Sequence, residues 1–231
     1  MSPPYDPPRL SVVIPTLNAA ATLPATLAPL GEAGAAAEVI VADGGSIDGT
    51  PDLAPRAVSA PRGRGPQLAA GGAVARGEWL LFLHADTRLA AGWWAEVQDH
   101  MRRRPDMAAA FRFALDDPAP QARRVERLVA WRCRRLGLPY GDQGLLIPAA
   151  LYEAVGGYRP LPLMEDVDLV RRLGRGRIAL LKTAAVTSAI RYRRDGWTAR
   201  PARNLTCLAL WWLGVPAERV AALYRGRGAR S

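Results

Sequence analysis

Short apolar runs alternate with longer mixed stretches along the first part of the chain. The runs have the length of buried strands, and they lie at residues 10–14, 38–42, 57–59 and 79–83. The stretches between them predict helices, at 18–30 with Asn18 as the N-cap, just after 48–51, and at 66–76. Strands that alternate with helices in this way predict an α/β fold with a mostly parallel, doubly wound sheet.

The second part of the chain has a less regular pattern. It predicts strands at residues 108–115, 145–147 and 178–181. It predicts helices at 92–104, 120–136, 151–155, 164–173 and from 197 onward, with a break near 214–216. We expect a disordered proline-rich leader over 1–8, one main domain over 9–195, and a helical extension over 196–231 that packs on the domain or in a dimer.

Acidic residues follow the predicted strands. Asp43 comes after the second strand, Asp86 after the fourth, and Glu165 and Asp166 open a later helix. A parallel sheet gathers such residues along one edge, where like charges repel unless a cation or a substrate rich in donors relieves them. His84 and Asp86 alternate on a strand end and should point the same way. Together they could hold a divalent cation, and the cation a diphosphate.

The composition is that of a single globular domain with a strongly basic surface. Of the 231 residues 49% are hydrophobic, which is enough for a full core and excludes a disordered chain. The net charge is +10, and Lys182 is the one lysine among 31 basic residues. Arginine suits phosphate and carboxylate binding. A basic surface also attracts nucleic acid or anionic lipid, but no nucleic-acid-binding motif accompanies it, so we expect no nucleic-acid partner.

Cysteines and apolar runs bear on location. Cys133 and Cys207 lie far apart without metal-ligand spacing, which indicates buried thiols in a reducing compartment. We find neither a signal peptide nor an apolar run of about 18–20 residues, the length that spans a bilayer. We expect a cytoplasmic protein, with the inner face of the membrane as the alternative.

The segment 205–215, with its Trp211–Trp212 pair, could lie in a membrane interface, but we expect it to pack on the domain or in a dimer.

Four motifs in this order resemble a family 2 glycosyltransferase of the GT-A fold, over roughly residues 9–190. They are 12–18 (VVIPTLN), 41–50 (VADGGSIDGT), 84–86 (HAD) and 165–166 (ED). Three further segments, 63–67, 80–89 and 140–144, resemble a small bacterial subgroup labelled as arsenosugar-biosynthesis or radical-SAM and selenium-associated glycosyltransferases.

The resemblance implies inverting transfer of a sugar from a nucleotide-diphosphate sugar, with UDP the family's usual nucleotide, to a small-molecule or lipid acceptor. It implies a nucleotide site at Pro15, Thr16, Asn18, Asp43, Gly44, Arg64 and Gln67. Asp86 would ligate Mg²⁺ or Mn²⁺. His84 stands where the family usually has a carboxylate; it could shift preference toward Mn²⁺, contact the sugar, or support Asp86.

The resemblance also implies the catalytic groups. Asp166 would be the general base, and Glu165 would orient it or the acceptor. The sugar and acceptor would meet Ala85, Gly141, Asp142 and Gln143, and a basic patch would close over the diphosphate with Arg191, Arg193 and Arg194. The structural alternatives are an acidic helix start at 165–166, a plain turn at 141–144 and a solvated loop at 191–194.

Other functions fit the sequence less well. A nucleotidyltransferase that makes nucleotide-sugars has a similar sheet but typically opens with a glycine-rich basic loop after its first strand, where this chain has residues 15–18 (PTLN). A non-catalytic nucleotide-sugar-binding module would have no need of Asp43, Asp86 and Asp166. The sequence specifies neither the sugar nor the acceptor.

Overall fold

A computed structural model describes residues 9–225 of the chain. Within this range the chain forms one eight-stranded sheet. The strands are β1 (Leu10–Thr16), β2 (Ala37–Asp43), β3 (Ala57–Ser59), β4 (Trp79–Phe82), β5 (Thr87–Leu89), β6 (Ala108–Leu115), β7 (Leu145–Pro148) and β8 (Ile178–Thr187).

Helices connect the strands and close the chain. The α-helices are α1 (Leu23–Leu27), α2 (Arg64–Ala73), α3 (Trp93–Arg103), α4 (Pro120–Leu136), α5 (Ala149–Ala154), α6 (Glu165–Leu173), α7 (Ile190–Asp195), α8 (Ala199–Trp212) and α9 (Ala217–Arg225). Shorter 3₁₀ segments lie at Ala28–Ala36, Thr50–Leu53, Gly141–Gln143 and Arg175–Arg177.

The strand order across the sheet is β3-β2-β1-β4-β7-β6-β8-β5. The first four strands are parallel, as are β6 and β8, whereas β7 and β5 run antiparallel to their neighbours. The predicted mostly parallel α/β sheet is therefore confirmed. Because β1, β2 and β4 are parallel, the residues that follow them meet at one edge of the sheet.

Helices cover both faces of this sheet. In β1, Val12 and Ile14 face one core cluster that includes Trp93 of α3. Val13 between them faces a second cluster, with Leu68 of α2. This alternation is the period of two expected for a strand, and it explains why β1 has apolar residues at successive positions.

Several elements differ from the sequence-based expectation. The helix predicted from residue 18 begins only at Leu23 and soon becomes a 3₁₀ segment. Asn18 is no helix cap: it lies in the left-handed region (φ 50°), and its Oδ1 accepts a hydrogen bond from the amide of Ile47 at 3.0 Å. Asparagine tolerates this conformation better than most residues. The sequence analysis also missed β5 and α7.

Strand β8 is longer than predicted because polar residues interrupt its apolar pattern. Its pairing with β6 shifts register between Ala110 and Arg112, as at a β-bulge. The carboxylate of Glu96 accepts hydrogen bonds from the amides of Lys182 and Thr183, each at 2.7 Å. These bonds satisfy two backbone donors in the irregular part of the strand.

The last two helices pack on the start of α6. Cys207 of α8 and Val220 of α9 are buried with Val167 of α6. The outer face of α8 remains half exposed, including Leu205 and Trp212. The segment 205–215 thus packs on the domain through one face only. No helix in residues 9–225 is long and apolar enough to cross a bilayer. The predicted leader at 1–8 and the last residues, 226–231, lie outside the described range.

Candidate functional site

The ends of β1 and β2 form a hydrogen-bonded cluster around Asp43. This buried carboxylate accepts hydrogen bonds from Thr16 Oγ1 (2.9 Å), from the amides of Gly45 (3.0 Å) and Ser46 (2.8 Å), and from Ser46 Oγ. Burial acts to raise the pKa of Asp43, but the bonds from Ser46, Thr16 and Gly45 outweigh it and lower the pKa below its ordinary value. Asp43 is therefore an ionised anchor for the loop that follows β2.

The side chain of Gln67 in α2 supports the same strand ends through hydrogen bonds. Its Nε2 donates to the carbonyl of Thr16 and, at 3.1 Å, to that of Ala42. A Cβ on Gly44 would lie 2.8 Å from this nitrogen, so the glycine allows the brace to reach the strands. The structure therefore turns Gln67 toward the backbone, and its amide is occupied there. Pro15 is likewise buried within β1.

His84, Ala85 and Asp86 lie in a turn that links β4 to β5, where a strand end was expected. The amide of Thr87 donates to the carbonyl of His84 at 3.1 Å, and Thr26 Oγ1 donates to the carbonyl of Ala85 at 3.0 Å. These bonds fix the turn against α1. His84 and Asp86 line one cavity, although alternation along a strand is not the reason. Ala85 contributes its backbone to the turn.

Gly141 brings His84 and Asp166 together. Its amide donates to Asp166 Oδ2 at 2.8 Å, and the amide of Val167 donates to Asp166 Oδ1 at 2.8 Å. A Cβ on Gly141 would lie 2.8 Å from His84 Nε2 and 3.2 Å from Asp166 Oδ2. The loop, the imidazole and the carboxylate are thus packed so closely that only glycine fits without movement.

Arg64, which lines the cavity, forms an ion pair with the buried Glu165. Arg64 Nε lies 2.8 Å from Glu165 Oε1, and the Glu165 side chain is 1% exposed. The contact lacks hydrogen-bond geometry, and the Glu165 oxygens accept no hydrogen bond from the described residues. Burial raises the pKa of Glu165, and the Arg64 charge offsets part of that rise. Met164, just before, has a left-handed backbone (φ 66°), so the start of α6 holds local strain.

Asp142 and Gln143 follow Gly141 but point in different directions. Asp142 lines the cavity; burial raises its pKa, while the nearby Arg132 acts to lower it. Gln143 is buried away from the cavity: its Nε2 donates to the carbonyl of Phe111 at 2.9 Å and its Oε1 accepts from Cys133 Sγ at 3.1 Å. The structure therefore gives Gln143 a role in holding the loop, and does not bring it to the cavity.

Of the predicted basic patch, Arg191 alone lines the cavity. Its Nη2 lies 3.4 Å from Asp86 Oδ2. Arg193 instead pairs with Asp117 at 2.7 Å, and Arg194 with Asp195 at 2.7 Å. Arg193 thus ties α7 to the segment after β6, whereas Arg194 pairs with a residue of α7 itself, and neither side chain lines the cavity.

The cavity itself measures about 380 Å³ and has two different ends. One end carries the charged groups described above. The other end is walled by α4 and α8, largely with apolar side chains, and includes Arg132, Tyr140 and Arg200. The sequence analysis missed this wall. Its signal is present in α4, where exposed Leu128 and Trp131 stand among arginines on a helix of otherwise polar surface.

The residues suit a divalent cation that a substrate helps to bind. Within residues 9–225, no three His, Cys, Asp or Glu side chains form a ready-made metal site. His84 and Asp86 nevertheless face one cavity, and burial together with Arg64 lowers the pKa of His84 to about 4. The imidazole is therefore neutral and able to ligate. One or two protein ligands plus substrate phosphates are a usual set for Mg²⁺.

Solved structures share the fold. TarS 1–349 from S. aureus gives a TM-score of 0.65 at 14% identity, covering 96% of this chain and 73% of that one. Its complex with UDP-GlcNAc gives a TM-score of 0.60 at 17% identity, covering 78% of this chain and 58% of that one. The mannosyltransferase PcManGT from Pyrobaculum calidifontis, in complex with GDP-Man and Mn²⁺, gives a TM-score of 0.60 at 20% identity. The match covers 99% of this chain and 77% of that one. The chain spans 38% of the length of a longer TarS structure.

Sequence comparison gives the family. No curated protein sequence matches this chain significantly. The model of Glycosyl transferase family 2 matches residues 11–157, which is more than half of the chain and includes the Asp43 cluster, Arg64 and the His84–Asp86 turn. The chain therefore belongs to glycosyl transferase family 2, and it is a glycosyltransferase with the GT-A fold.

Proposed function

We propose that this glycosyltransferase moves a sugar from a nucleotide-diphosphate sugar, with uridine as the base, to an acceptor with inversion at the anomeric carbon. One observation carries the proposal: Arg64, His84, Asp86 and Asp166 converge on one cavity at the carboxyl edge of parallel strands. Ligands bind at this edge in open α/β sheets. The TarS complex with UDP-GlcNAc and the PcManGT complex with GDP-Man and Mn²⁺ support a nucleotide-sugar donor.

The nucleotide would lie over the loop that Asp43 holds. An ionised carboxylate has about four lone-pair sites, and the bonds from Thr16, Gly45 and Ser46 already use that number. A direct bond from Asp43 to base or ribose would therefore replace one of them, and the Ser46 hydroxyl is the partner best able to rotate away. Thr16 and Asn18 shape the opposite side of this loop, and Gln67 supports it from beneath.

Asp166 is the group placed to take the acceptor proton. Each of its oxygens accepts one backbone amide, which orients the carboxylate and leaves further lone pairs free. The acceptor hydroxyl oxygen bonds to the anomeric carbon as the bond from that carbon to the diphosphate oxygen breaks. The hydroxyl proton passes to Asp166, and the bonding electron pair leaves with the nucleoside diphosphate. Glu165 acts through Arg64, which lines the cavity and whose guanidinium it holds.

Positive charge near the departing diphosphate would come from two sources. Arg64 and Arg191 line the cavity and carry fixed charges. His84 and Asp86 would hold Mn²⁺ or Mg²⁺, and such an ion neutralises charge that develops on a leaving diphosphate. Arg191 now lies beside Asp86, so binding of donor and metal would exchange that ion pair for one with phosphate. We further propose that the chain belongs to the bacterial subgroup that segments 63–67, 80–89 and 140–144 resemble, since Arg64, His84 and Gly141 all belong to this arrangement.

Donor binding is the first test. Nucleotide-diphosphate sugars are screened by thermal shift with and without Mn²⁺, because a ligand that binds only the native state raises its apparent stability. We expect a UDP-sugar to raise the melting temperature, more strongly with the metal. Asp86→Ala should abolish the metal-dependent part of the affinity for the donor, measured by calorimetric titration. Asp99→Ala, an exposed carboxylate on α3, is the matched control. No shift with any nucleotide-sugar would refute the proposal.

Proton transfer is the second test. Asp166→Asn keeps the shape of the side chain but cannot accept a proton at neutral pH. We expect donor binding close to wild type and transfer slower by roughly 10²- to 10⁴-fold, the usual contribution of a general base. Wild-type transfer by Asp166→Asn would place the base elsewhere, with Asp142 next. Donor binding without transfer to any acceptor by the wild-type chain would favour a non-catalytic binding module.

A further inference from the structure

The apolar end of the cavity is not needed to bind a nucleotide or a sugar. Val125, Leu128 and Val129 of α4 face Leu205 and Leu208 of α8 across it. Sugars, phosphates and bases are polar or aromatic and do not call for two aliphatic walls. Asp166 and side chains at the protein surface line the same cavity, so a molecule between these walls would share the cavity with that carboxylate.

The mouth of this end is apolar and exposed. Leu128 is 51% exposed, Trp131 52% and Leu205 54%, and all three line the cavity. We call these three residues the apolar rim. They expose apolar area that the domain leaves uncovered, and they are continuous with the buried walls. Long apolar surface that leads from solvent to a reactive carboxylate is typical of a site for an amphiphilic substrate.

Positive charge surrounds the rim. Helix α4 carries exposed arginines on both sides of Leu128 and Trp131, at positions 123, 124, 127, 134 and 135. Inside the cavity, Arg132 lies over the ring of Tyr140, at 3.9 Å from its centroid, and donates to the carbonyl of Leu138 at 3.0 Å. Both partners are neutral, but Asp142 lies near enough for the Arg132 charge to lower its pKa, so an anionic group at Arg132 would share that charge with Asp142. Apolar side chains flanked by arginine suit an anionic lipid.

We propose that the acceptor is an anionic lipid whose headgroup bears a hydroxyl. This inference rests on the proposed glycosyl transfer. The acyl or alkyl chain lies between α4 and α8, the anionic group meets Arg132, and the headgroup hydroxyl reaches Asp166. That hydroxyl oxygen bonds to the anomeric carbon, its proton passes to Asp166, and the nucleoside diphosphate leaves with the electron pair of the broken bond.

Binding of single-chain lipids tests the proposed site for the acyl chain without requiring sugar transfer. The probes are 1-acyl lysophosphatidylglycerols of increasing chain length, kept below their micelle concentrations, with glycerophosphoglycerol as the headgroup alone. Calorimetric titration should show the dissociation constant falling roughly threefold to fourfold per methylene, the effect of about 0.8 kcal/mol for each buried CH₂. The fall should stop once the cavity is full. Lysophosphatidylcholine of equal length should bind more weakly because it lacks net negative charge.

Substitutions at the apolar rim test where the acyl chain binds. Trp131→Ser should weaken binding of the ten-carbon probe by roughly threefold to tenfold, since a half-exposed aromatic contributes only part of its burial energy. Trp212→Ser is the matched control, because Trp212 is 51% exposed on α8 and does not line the cavity. Both side chains lie at the surface, and circular dichroism confirms that each variant is folded.

The outcomes separate this inference from the proposed function. Affinity that is independent of chain length, or equal losses in Trp131→Ser and Trp212→Ser, would overturn the lipid acceptor while UDP-sugar binding still stood. If the wild-type chain is a dimer in solution and Trp131→Ser makes it monomeric without loss of lipid affinity, a second copy covers the rim and the lipid proposal is wrong. Lipid binding without any nucleotide-sugar binding would instead refute the proposed function.

Discussion

Replacement of Gly141 by alanine adds one methyl group at the centre of the candidate site. The new Cβ would lie 2.8 Å from His84 Nε2, 3.2 Å from His84 Cε1 and 3.2 Å from Asp166 Oδ2. Ordinary contacts of a Cβ begin at 3.4 Å, so an ordinary contact returns only if the His84 nitrogen moves by about 0.6 Å, the difference between 3.4 Å and 2.8 Å. The Gly141 amide also donates to Asp166, which couples any shift of the loop to the proposed base.

The consequence for activity should exceed that for stability. The atoms that clash belong to side chains, so we expect a loss of about 1 kcal/mol, at the low end of the 1–3 kcal/mol typical of overpacking. A misplacement of about 1 Å can cost as much as 10²-fold in rate, so we expect transfer slower by roughly 10- to 100-fold. Metal-dependent donor affinity should fall as well, because His84 is displaced from the cavity it shares with Asp86.

Three measurements test this reasoning: urea unfolding, calorimetric titration of a UDP-sugar with and without Mn²⁺, and turnover, with donor hydrolysis in place of transfer until an acceptor is in hand. Gly31→Ala is the matched control, because no atom lies within 4 Å of its added Cβ. It should keep wild-type activity and lose little or no stability. A Gly141→Ala enzyme with wild-type affinity and rate would show that His84 and Asp166 do not act from these positions.

Two further predictions concern residues that support the site. Gln67→Leu removes a donor from two buried carbonyls at the ends of β1 and β2, although the carbonyl of Thr16 still accepts from the amide of Gly44 at 2.9 Å. We therefore expect the free energy of unfolding to fall by about 1–2 kcal/mol in urea titrations; an unchanged value would show that the brace is dispensable. The hydrogen bond from Arg194, with a further bond from Arg203, lowers the pKa of Asp195. Its stabilisation is therefore present above the unfolded value near 3.9 and is lost as the pH falls further below it. The melting temperatures of wild type and Asp195→Asn should differ at pH 7 and converge toward pH 3; a constant difference would contradict the assignment.

The bounds of helices and strands are well predicted where the residues that specify them lie within the helix or strand or next to it. The strand Ala108–Leu115 and the helix Pro120–Leu136 have the predicted bounds. Pro120 suits the first turn of a helix, and Gly137, at φ 63°, suits the residue after its end. Strand direction is different. That β7 is antiparallel and β5 pairs with β8 depends on contacts between distant segments, which no local pattern records.

The candidate site divides in the same way. Asp43 and the residues after β4 share one edge because parallel strands bring their carboxyl ends together, and this the sequence could predict. The apolar wall requires α4 and α8 to meet across a cavity, although the 62 residues 137–198 separate them in sequence. Gln67 and Gln143 show a further limit. Each matched a motif, but both amides turn to backbone carbonyls, and sequence cannot tell a buried amide that binds a ligand from one that braces a loop.

The histidine at position 84 follows from the charges around it. Asp86 and Asp166 lie near His84, and a carboxylate at that position would repel both, although the nearby Arg64 charge would offset part of that repulsion. A metal would offset that repulsion only while bound. With its pKa lowered to about 4, the His84 imidazole is neutral near pH 7, so it avoids this repulsion and still offers a lone pair. If the proposed cation binds, this departure from the family's usual carboxylate would suit its assembly together with the donor phosphates, rather than binding of the cation alone.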